Sequence, residues 1–370
     1  MAVCGLMTGA TVVTAETALP LPEILTGVSK LAFLGDSLTD GNNFPEFVIN
    51  TLNRLYPEQA FSFVNAGVCG NAAYDLVDRL DRDILSQHPD LTFILIGTND
   101  SGGKNPPIQF RADLLYLTQR LRAAGSKVAF ISLTGSTNPD TAAKLKIYDT
   151  IIREVATEQN TLFVDAATLF ANWQAEGKEM YHAPGDVHPS LEGFKGMARA
   201  ILNTLGIPET VEMDVTVAPP PHLLTNWEET GPVENTTDPS AITTWTPYDY
   251  TLWIENHDWS YKLLAQRGAW FALQGAAKGR TAYARTTFDA PTEGLYELQL
   301  GGGVPLIVWV NGVKVYTLPK TNGYHPNAIR TPVLLKKGAN EIIITTKFYA
   351  YVGVAACKLE NKPRRKESQK

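Results

Sequence analysis

The feature that most constrains this chain is an alternation. Between Leu31 and Leu205, short apolar runs take turns with segments of helical period. Leu31–Leu34, Phe61–Val64, Leu91–Ile96, Val128–Ser132 and Leu162–Val164 read as strands. Pro45–Tyr56, Ala72–Gln87, Ile108–Ala124, Thr141–Gln159 and Leu191–Leu205 place apolar residues three and four apart, as amphipathic helices do. Leu91–Ile96 is apolar almost throughout, which suits a strand covered on both faces. Repeated βα units of this kind require a parallel sheet with helices on both sides, because right-handed crossovers put each helix on a face of the sheet.

The alternation stops near Gly206-Ile207-Pro208. Residues 209–249 hold Pro219-Pro220-Pro221 and much Thr, Glu and Asn, and read as a linker or an irregular packing segment. From about Tyr250 the pattern becomes β. Ala282–Phe288, Leu295–Leu300, Leu306–Val310, Val313–Leu318, Glu341–Thr346 and Val352–Leu359 are rich in β-branched and aromatic residues. Asn311-Gly312 is a strong hairpin turn, and Lys337-Gly338-Ala339-Asn340 is another turn. The expected organisation is a signal-like leader over 1–20, an α/β domain over 27–208, the segment 209–249, an antiparallel β-sandwich over 250–360 and a basic tail over 361–370.

With 370 residues, 44% hydrophobic and 19% charged, the chain has the composition of a globular protein of two domains. Its net charge of −6 argues against nucleic acid as a partner, since phosphate binding needs a basic surface. No run is long and apolar enough for a membrane span. Cys4, Cys69 and Cys357 are too few and too scattered for a disulfide framework or a zinc site, and Cys69 reads as a small packing residue. Val13-Thr14-Ala15 looks like a signal-peptidase site, although no Lys or Arg precedes it. Export to the periplasm or medium is favoured over the cytoplasm. The oligomeric state is not legible.

Four segments carry chemistry. Gly35-Asp36-Ser37-Leu38-Thr39-Asp40-Gly41 follows the first strand directly, and a serine there lies in the crevice where open α/β sheets bind ligands. Alone, it could equally be a capping turn, with Asp36 shaping it. Asn65-Ala66-Gly67-Val68-Cys69-Gly70-Asn71 follows the second strand, and a glycine there can aim its N–H at an oxyanion. Gly97-Thr98-Asn99-Asp100 follows the third, offering a carboxamide as a second donor. Gly185-Asp186-Val187-His188-Pro189 precedes the last helix, and its histidine can take a proton from the serine if a carboxylate orients the ring. Each is an ordinary turn or cap by itself. Together they supply what acyl transfer needs. Asp165 reads as a helix N-cap. Asp100 reads as support for the asparagine loop. His182 and His188 lack the third clustered ligand a metal would require.

The GDSL motif, the later Gly and Asn, and the late His-Pro resemble the SGNH (GDSL) hydrolases over about residues 30–205. That resemblance implies a flavodoxin-like, three-layer parallel sheet and an ester hydrolase needing no cofactor or metal. Carried over, Ser37 is the nucleophile and His188 the base, and the oxyanion hole is made by Ser37 N–H, Gly70 N–H and the Asn99 side chain. Gly70 fits the family spacing better than Gly67. One departure stands out. The family places its aspartate three residues before the histidine, where this chain has Gly185; the nearby acid, Asp186, is two before and is taken as the orienter.

Six of the seven tryptophans follow residue 220. Most are expected in a β core, though exposed ones can stack on sugars. The stretch from Gly294 to Thr346 resembles galactose-binding-like jelly rolls attached to carbohydrate enzymes. The expected activity is therefore removal of acetyl groups from a polysaccharide or small acylated substrate. A lipase or short-chain acyl esterase is the rival, as is a catalytically degenerate glycan-binding protein. The small, polar Ser101–Pro107 loop favours a compact polar substrate over a lipid.

Overall fold

The computed structural model describes residues 19–40, 43–216, 224–235, 237–249, 271–273, 280–302, 306–318, 329–345 and 349–356. The expected leader falls outside these residues up to position 18, and the basic tail falls outside them entirely. No helix of the described residues is long and apolar enough to cross a membrane.

The first half is built on five parallel strands: β1 (Lys30–Gly35), β2 (Ser62–Gly67), β3 (Leu91–Leu95), β4 (Lys127–Ile131) and β5 (Leu162–Val164). Their order is β2-β1-β3-β4-β5. All five residues of β3 are buried, as its apolar run requires. Between and after the strands come α1 (Ser37–Asp40), α2 (Asn43–Leu55), α3 (Ala73–Asp83), α4 (Pro107–Ala123), α5 (Pro139–Glu158), α6 (Ala166–Ala175) and α7 (Leu191–Thr204). Helices α2, α6 and α7 pack together as one outer layer, and α3, α4 and α5 as the other. Leu114, Leu117 and Leu121 form the buried stripe of α4. Asn138 caps α5 and Ser190 caps α7, each side chain accepting backbone N–H bonds from the first turn. Asp165 caps α6 through Thr168 N–H.

This order reverses direction between β1 and β3, because the chain steps from β1 to β2 on one side and then to β3 on the other. The carboxyl ends of β1 and β3 therefore border the crevice where such sheets bind ligands. Ser37 and Asn99 stand at those two ends.

Residues 209–249 divide between the two halves. Val211 belongs to the first core, Arg199 donates to Val211 O, and Asp214 N–H donates to Thr51 Oγ1 at 2.9 Å. Leu224, Trp227 and Tyr248 belong instead to a second core.

That second core lies within a β-rich domain. Among the described residues one antiparallel sheet has six strands: β6 (Glu228–Glu229), β8 (Thr246–Pro247), β11 (Ala284–Ala290), β13 (Leu306–Val310), β14 (Val313–Leu318) and β16 (Gly338–Thr345). Another has four: β9 (Phe271–Ala272), β12 (Gly294–Gly302), β15 (Ile329–Leu335) and β17 (Tyr349–Ala356). The short β7 (Val233–Glu234) and β10 (Arg280–Thr281) pair with each other. Val308 and Ile344 from the first sheet, and Leu298, Val333 and Val352 from the second, share one core. Asn311 (φ 50°) and Gly312 (φ 79°) make the β13–β14 turn with the positive φ that a type I′ hairpin needs. β15 has no counterpart in the sequence reading because Pro332 interrupts its pattern. It is an edge strand, where a missing N–H is tolerated.

Candidate active site

The turn that carries Ser37 is built by close packing. β1 ends at Gly35, and a Cβ there would lie 2.3 Å from Thr39 Oγ1 and 2.5 Å from Leu95 O. Gly67 at the end of β2 is tighter still, 2.2 Å from Asp40 N. Glycine at both positions lets the single turn α1 sit directly on the strand ends. Asp36 is fully buried and its Oδ1 accepts Leu38 N–H at 3.0 Å, which fixes the turn presenting Ser37. Burial pushes Asp36 up to about 7; Leu38 N–H opposes this and the neighbouring Asp100 adds to it.

His188 comes to Ser37 from the other side of the sequence. Ser37 Oγ lies 3.0 Å from His188 Nε2, and His188 Nδ1 lies 2.8 Å from Asp186 Oδ1. An ionised carboxylate only accepts hydrogen bonds, so the imidazole proton sits on Nδ1 and Nε2 accepts from the serine. Asp186 Oδ1 also accepts Val187 N–H at 2.7 Å and His188 N–H at 3.0 Å. Partial burial pushes Asp186 up, but the bonds from His188 and Val187 outweigh it and hold the carboxyl below its ordinary value.

These bonds explain how an acid two residues before the histidine reaches the ring. Asp186 folds its carboxylate back over its own following backbone, an Asx turn, and the same oxygen meets the imidazole. The loop is pinned at both ends. Tyr181 bridges Pro189, and His182 N–H donates to His188 O at 3.0 Å. At the tip, Gly185 N–H donates to Thr137 Oγ1 at 2.6 Å and Ser136 Oγ donates to Gly185 O at 3.0 Å.

The remaining donors lie on the loops after β2 and β3. Asn71 N–H donates to Val68 O at 3.2 Å, closing a turn whose third residue is Gly70 at φ +80°. That value is what a type II turn requires and what a side chain resists. Gly70 N–H donates to no described residue, and neither does Ser37 N–H. Gly67 N–H, in contrast, is taken by Asn65 Oδ1 at 2.8 Å. Asn99 Nδ2 donates to Asn71 O at 3.0 Å and stands 3.5 Å from Asp36 Oδ2. Lys104 Nζ donates to Gly70 O at 2.6 Å. Asp100 Oδ1 accepts Ala73 N–H and Asn105 Nδ2, both at 3.0 Å, tying the asparagine loop to the start of α3.

The arrangement offers a hydroxyl bonded to an imidazole, an orienting carboxylate and two uncommitted backbone N–H groups beside a carboxamide. That is the equipment of acyl transfer. A model of the GDSL-like lipase/acylhydrolase family matches residues 33–195. Over these residues, less than half of its length, the chain is similar to that family, and it carries a serine esterase domain of the SGNH type. An acetylxylan esterase of Geobacillus stearothermophilus is 29% identical to it over 208 residues, 48% of this chain and 94% of that protein. Among solved structures, an acetylxylan esterase from Geobacillus stearothermophilus is 25% identical with a TM-score of 0.44, over 49% of this chain and 95% of that one. An alpha/beta hydrolase enzyme from the metagenome of Lake Arreo, Spain, is 23% identical with a TM-score of 0.45, over 48% and 95%.

In this SGNH esterase the five residues singled out in the sequence, Ser37, Gly70, Asn99, Asp186 and His188, converge on the carboxyl edge of the sheet. Cys69 is half-buried and its thiol is pushed up to about 12 by burial and by Asp40 and Asp36, so it is a poor nucleophile. Among the described residues, no three His, Cys, Asp or Glu side chains gather as a metal site. The sequence reading missed Arg79 and Asn71. The available signal was Arg79 itself, which shares the buried stripe of α3 with Ala73, Leu76 and Leu80, where a charge is out of place.

Proposed function

We propose that this esterase removes O-acetyl groups from a carbohydrate, with Ser37 attacking the ester carbonyl. His188 takes the hydroxyl proton and returns it to the departing sugar oxygen. Asp186 holds the ring and stabilises the imidazolium. Ser37 N–H, Gly70 N–H and Asn99 Nδ2 receive the oxyanion. Water, activated by the same histidine, then releases acetate from the acyl-enzyme. No cofactor enters these steps. The observation that carries the reading is the unbroken chain Asp186–His188–Ser37, at 2.8 and 3.0 Å, beside the unused N–H groups.

The 29% identical relative, an acetylxylan esterase, supports an acetylated glycan as the substrate class. We assign the β-rich domain, spanning about 250–360 with short strands from 224–249, as a jelly-roll sandwich that contacts the glycan. Trp227 is buried in its core, Trp245 and Trp309 are half-buried, and Trp253, Trp259 and Trp270 lie outside the described residues. We place the enzyme outside the cytoplasm, on the signal-like composition of its leader. A binding protein with a dead hydrolase domain is the weaker account, since the displaced aspartate on which it rested lies in hydrogen-bond contact with the imidazole.

The test is turnover of p-nitrophenyl acetate and acetylated xylo-oligosaccharides beside longer acyl esters. The reading expects acetate selectivity, release of acetate from the oligosaccharide, and loss of both in Ser37→Ala. Preference for long acyl chains would move the assignment to lipids.

A further inference from the structure

We propose that Arg79 is a positioning residue that sets the oxyanion turn at a fixed place relative to the nucleophile. The inference rests on the hydrolytic reading above and adds a residue that does not touch the substrate. Arg79 projects from α3 and is only 7% exposed. Its planar fork reaches three elements. Nη2 donates to Gly35 O at 2.9 Å, on the peptide that leads into Asp36 and Ser37. Nε donates to Asn71 Oδ1 at 2.8 Å. Nη1 pairs with Asp83 at 3.1 Å, one turn along its own helix.

Asn71 is the hub this fork holds. Its N–H closes the turn containing Gly70, and its carbonyl accepts the Asn99 carboxamide at 3.0 Å. The serine turn, the Gly70 turn and the Asn99 side chain are thus linked through one rigid group and one residue. Val68 N–H donates to Gly35 O at 3.1 Å, so the same carbonyl receives both the sheet and the guanidinium. A type II turn differs from a type I turn by a flip of its central peptide, here the one carrying Gly70 N–H. Losing the grip on Asn71 frees that flip. A guanidinium suits the task because its donors are coplanar and fixed in angle, while a lysine ammonium offers one point on a flexible stem. Asp83 keeps the buried cation paired. Burial lowers the affinity of Arg79 for its proton, and Asp83 opposes this.

The experiment compares wild type, Ser37→Ala, Arg79→Met, Arg79→Lys and Asn71→Ala on p-nitrophenyl acetate. A small alkylboronic acid serves as a second probe. It bonds to Ser37 Oγ, boron becomes tetrahedral, the serine proton passes to His188 and a boron-bound oxygen occupies the oxyanion hole. Turnover by wild type that Ser37→Ala lacks secures the underlying reading; the ratios among the other forms then decide the inference. Arg79→Met is expected to lower kcat roughly 10- to 100-fold with KM little changed, because sub-ångström displacement of oxyanion donors acts on the transition state. Boronate affinity should fall by a similar factor. Arg79→Lys should recover part of both, and Asn71→Ala should lose about tenfold. A residue that merely stabilises the fold would lower the urea midpoint and leave kcat and boronate affinity of the folded enzyme within about twofold of wild type, and that result overturns the proposal. If Arg79→Met does not fold, Asn71→Ala decides: kcat and boronate affinity within about twofold of wild type likewise overturn it.

Discussion

The two halves of this chain bury polar groups for different ends. In the α/β half one group of them lies at the carboxyl edge of the sheet: Asp36, Arg79 and Asp100 are beneath the loops that carry Ser37, Gly70 and Asn99. In the β-rich half one of them serves the chain's own turns. Asn340 is fully buried, accepting from Lys336 N–H and Asn311 Nδ2 and donating to Lys336 O and Gly338 O. The first set includes carboxylates with displaced proton affinities, the second a neutral amide with all its bonds made. Shifted titration beside a crevice marks a site for chemistry, whereas a satisfied amide marks architecture. The relative that covers 94% of its own length matches only 48% of this chain, so about half of this protein has no counterpart there. Chemistry confined to one half is the comparison to be broken.

The largest effect is expected at Ser37. Ser37→Ala should reduce kcat by roughly 10⁴- to 10⁶-fold while leaving urea unfolding of both halves near wild type. Residual turnover within about tenfold of wild type would mean that another group attacks. Next comes Asp186→Asn, expected to cost about 10³-fold in kcat, since the amide can present its N–H to Nδ1 and favour the wrong imidazole tautomer. The carboxyl is held below its ordinary value, so in the wild type it stays ionised to lower pH than a free aspartate. It therefore contributes stability that is present above the unfolded pKa and lost only as pH falls through the depressed folded one. A rate unchanged by Asp186→Asn would leave ring orientation to the loop backbone.

How far this was legible follows from the range of the forces involved. The parallel sheet was visible because strand and helix periods are local, and each βα unit repeats the same signal. Ser37 and Asn99 were visible because they sit in short motifs next to strand ends, and His188 because its His-Pro motif directly precedes the last helix. The Asp186 contact was harder, since an Asx turn, not a fixed spacing, delivers the carboxylate. Arg79 was hidden because its three bonds join residues 35, 71 and 83, and only the fold brings positions 35 and 71 together. In the β-rich half, β15 escaped because Pro332 breaks its pattern and only sheet order reveals an edge. The strands β6 and β8 are two residues each, too short for any period.

The third test asks whether the cost of a functional edge is borne by one half. Burial pushes the Asp36 carboxyl from its ordinary 3.8 up to about 7. Between these values the native state holds a proton that the unfolded chain has released, so stability falls as pH rises. A gap of about three pH units corresponds to a cost of up to ~4 kcal/mol above pH 7, with Asp100 adding to the penalty and Arg79 reducing it. Asp36→Asn keeps an acceptor for Leu38 N–H and removes the ionisation. It should match wild type near pH 4 and exceed it at pH 8, in the transition of the α/β half alone. Loss of stability at pH 8 would show that the carboxylate is compensated by contacts beyond those of Leu38 and Arg79.

The smallest effect should come from the other half, and it sharpens the contrast most. Asn340→Ala deletes four hydrogen bonds at a buried turn and strands the Lys336 and Gly338 carbonyls, a loss of about 2 kcal/mol or more. It also frees Asn311, whose side chain accepts Glu341 N–H at 3.0 Å and whose positive φ sets the β13–β14 hairpin. Two turns of one sheet should therefore loosen together, visible as an earlier melting transition and faster amide exchange at Asn311 and Glu341. Turnover of p-nitrophenyl acetate should stay at the wild-type rate, because every group assigned to the chemistry lies between Ser37 and His188. Turnover of acetylated xylo-oligosaccharide separates two uses of the β-rich half. An unchanged KM there would make it a passive neighbour of the catalytic half, and a raised KM with unchanged kcat would make it part of how the glycan is held.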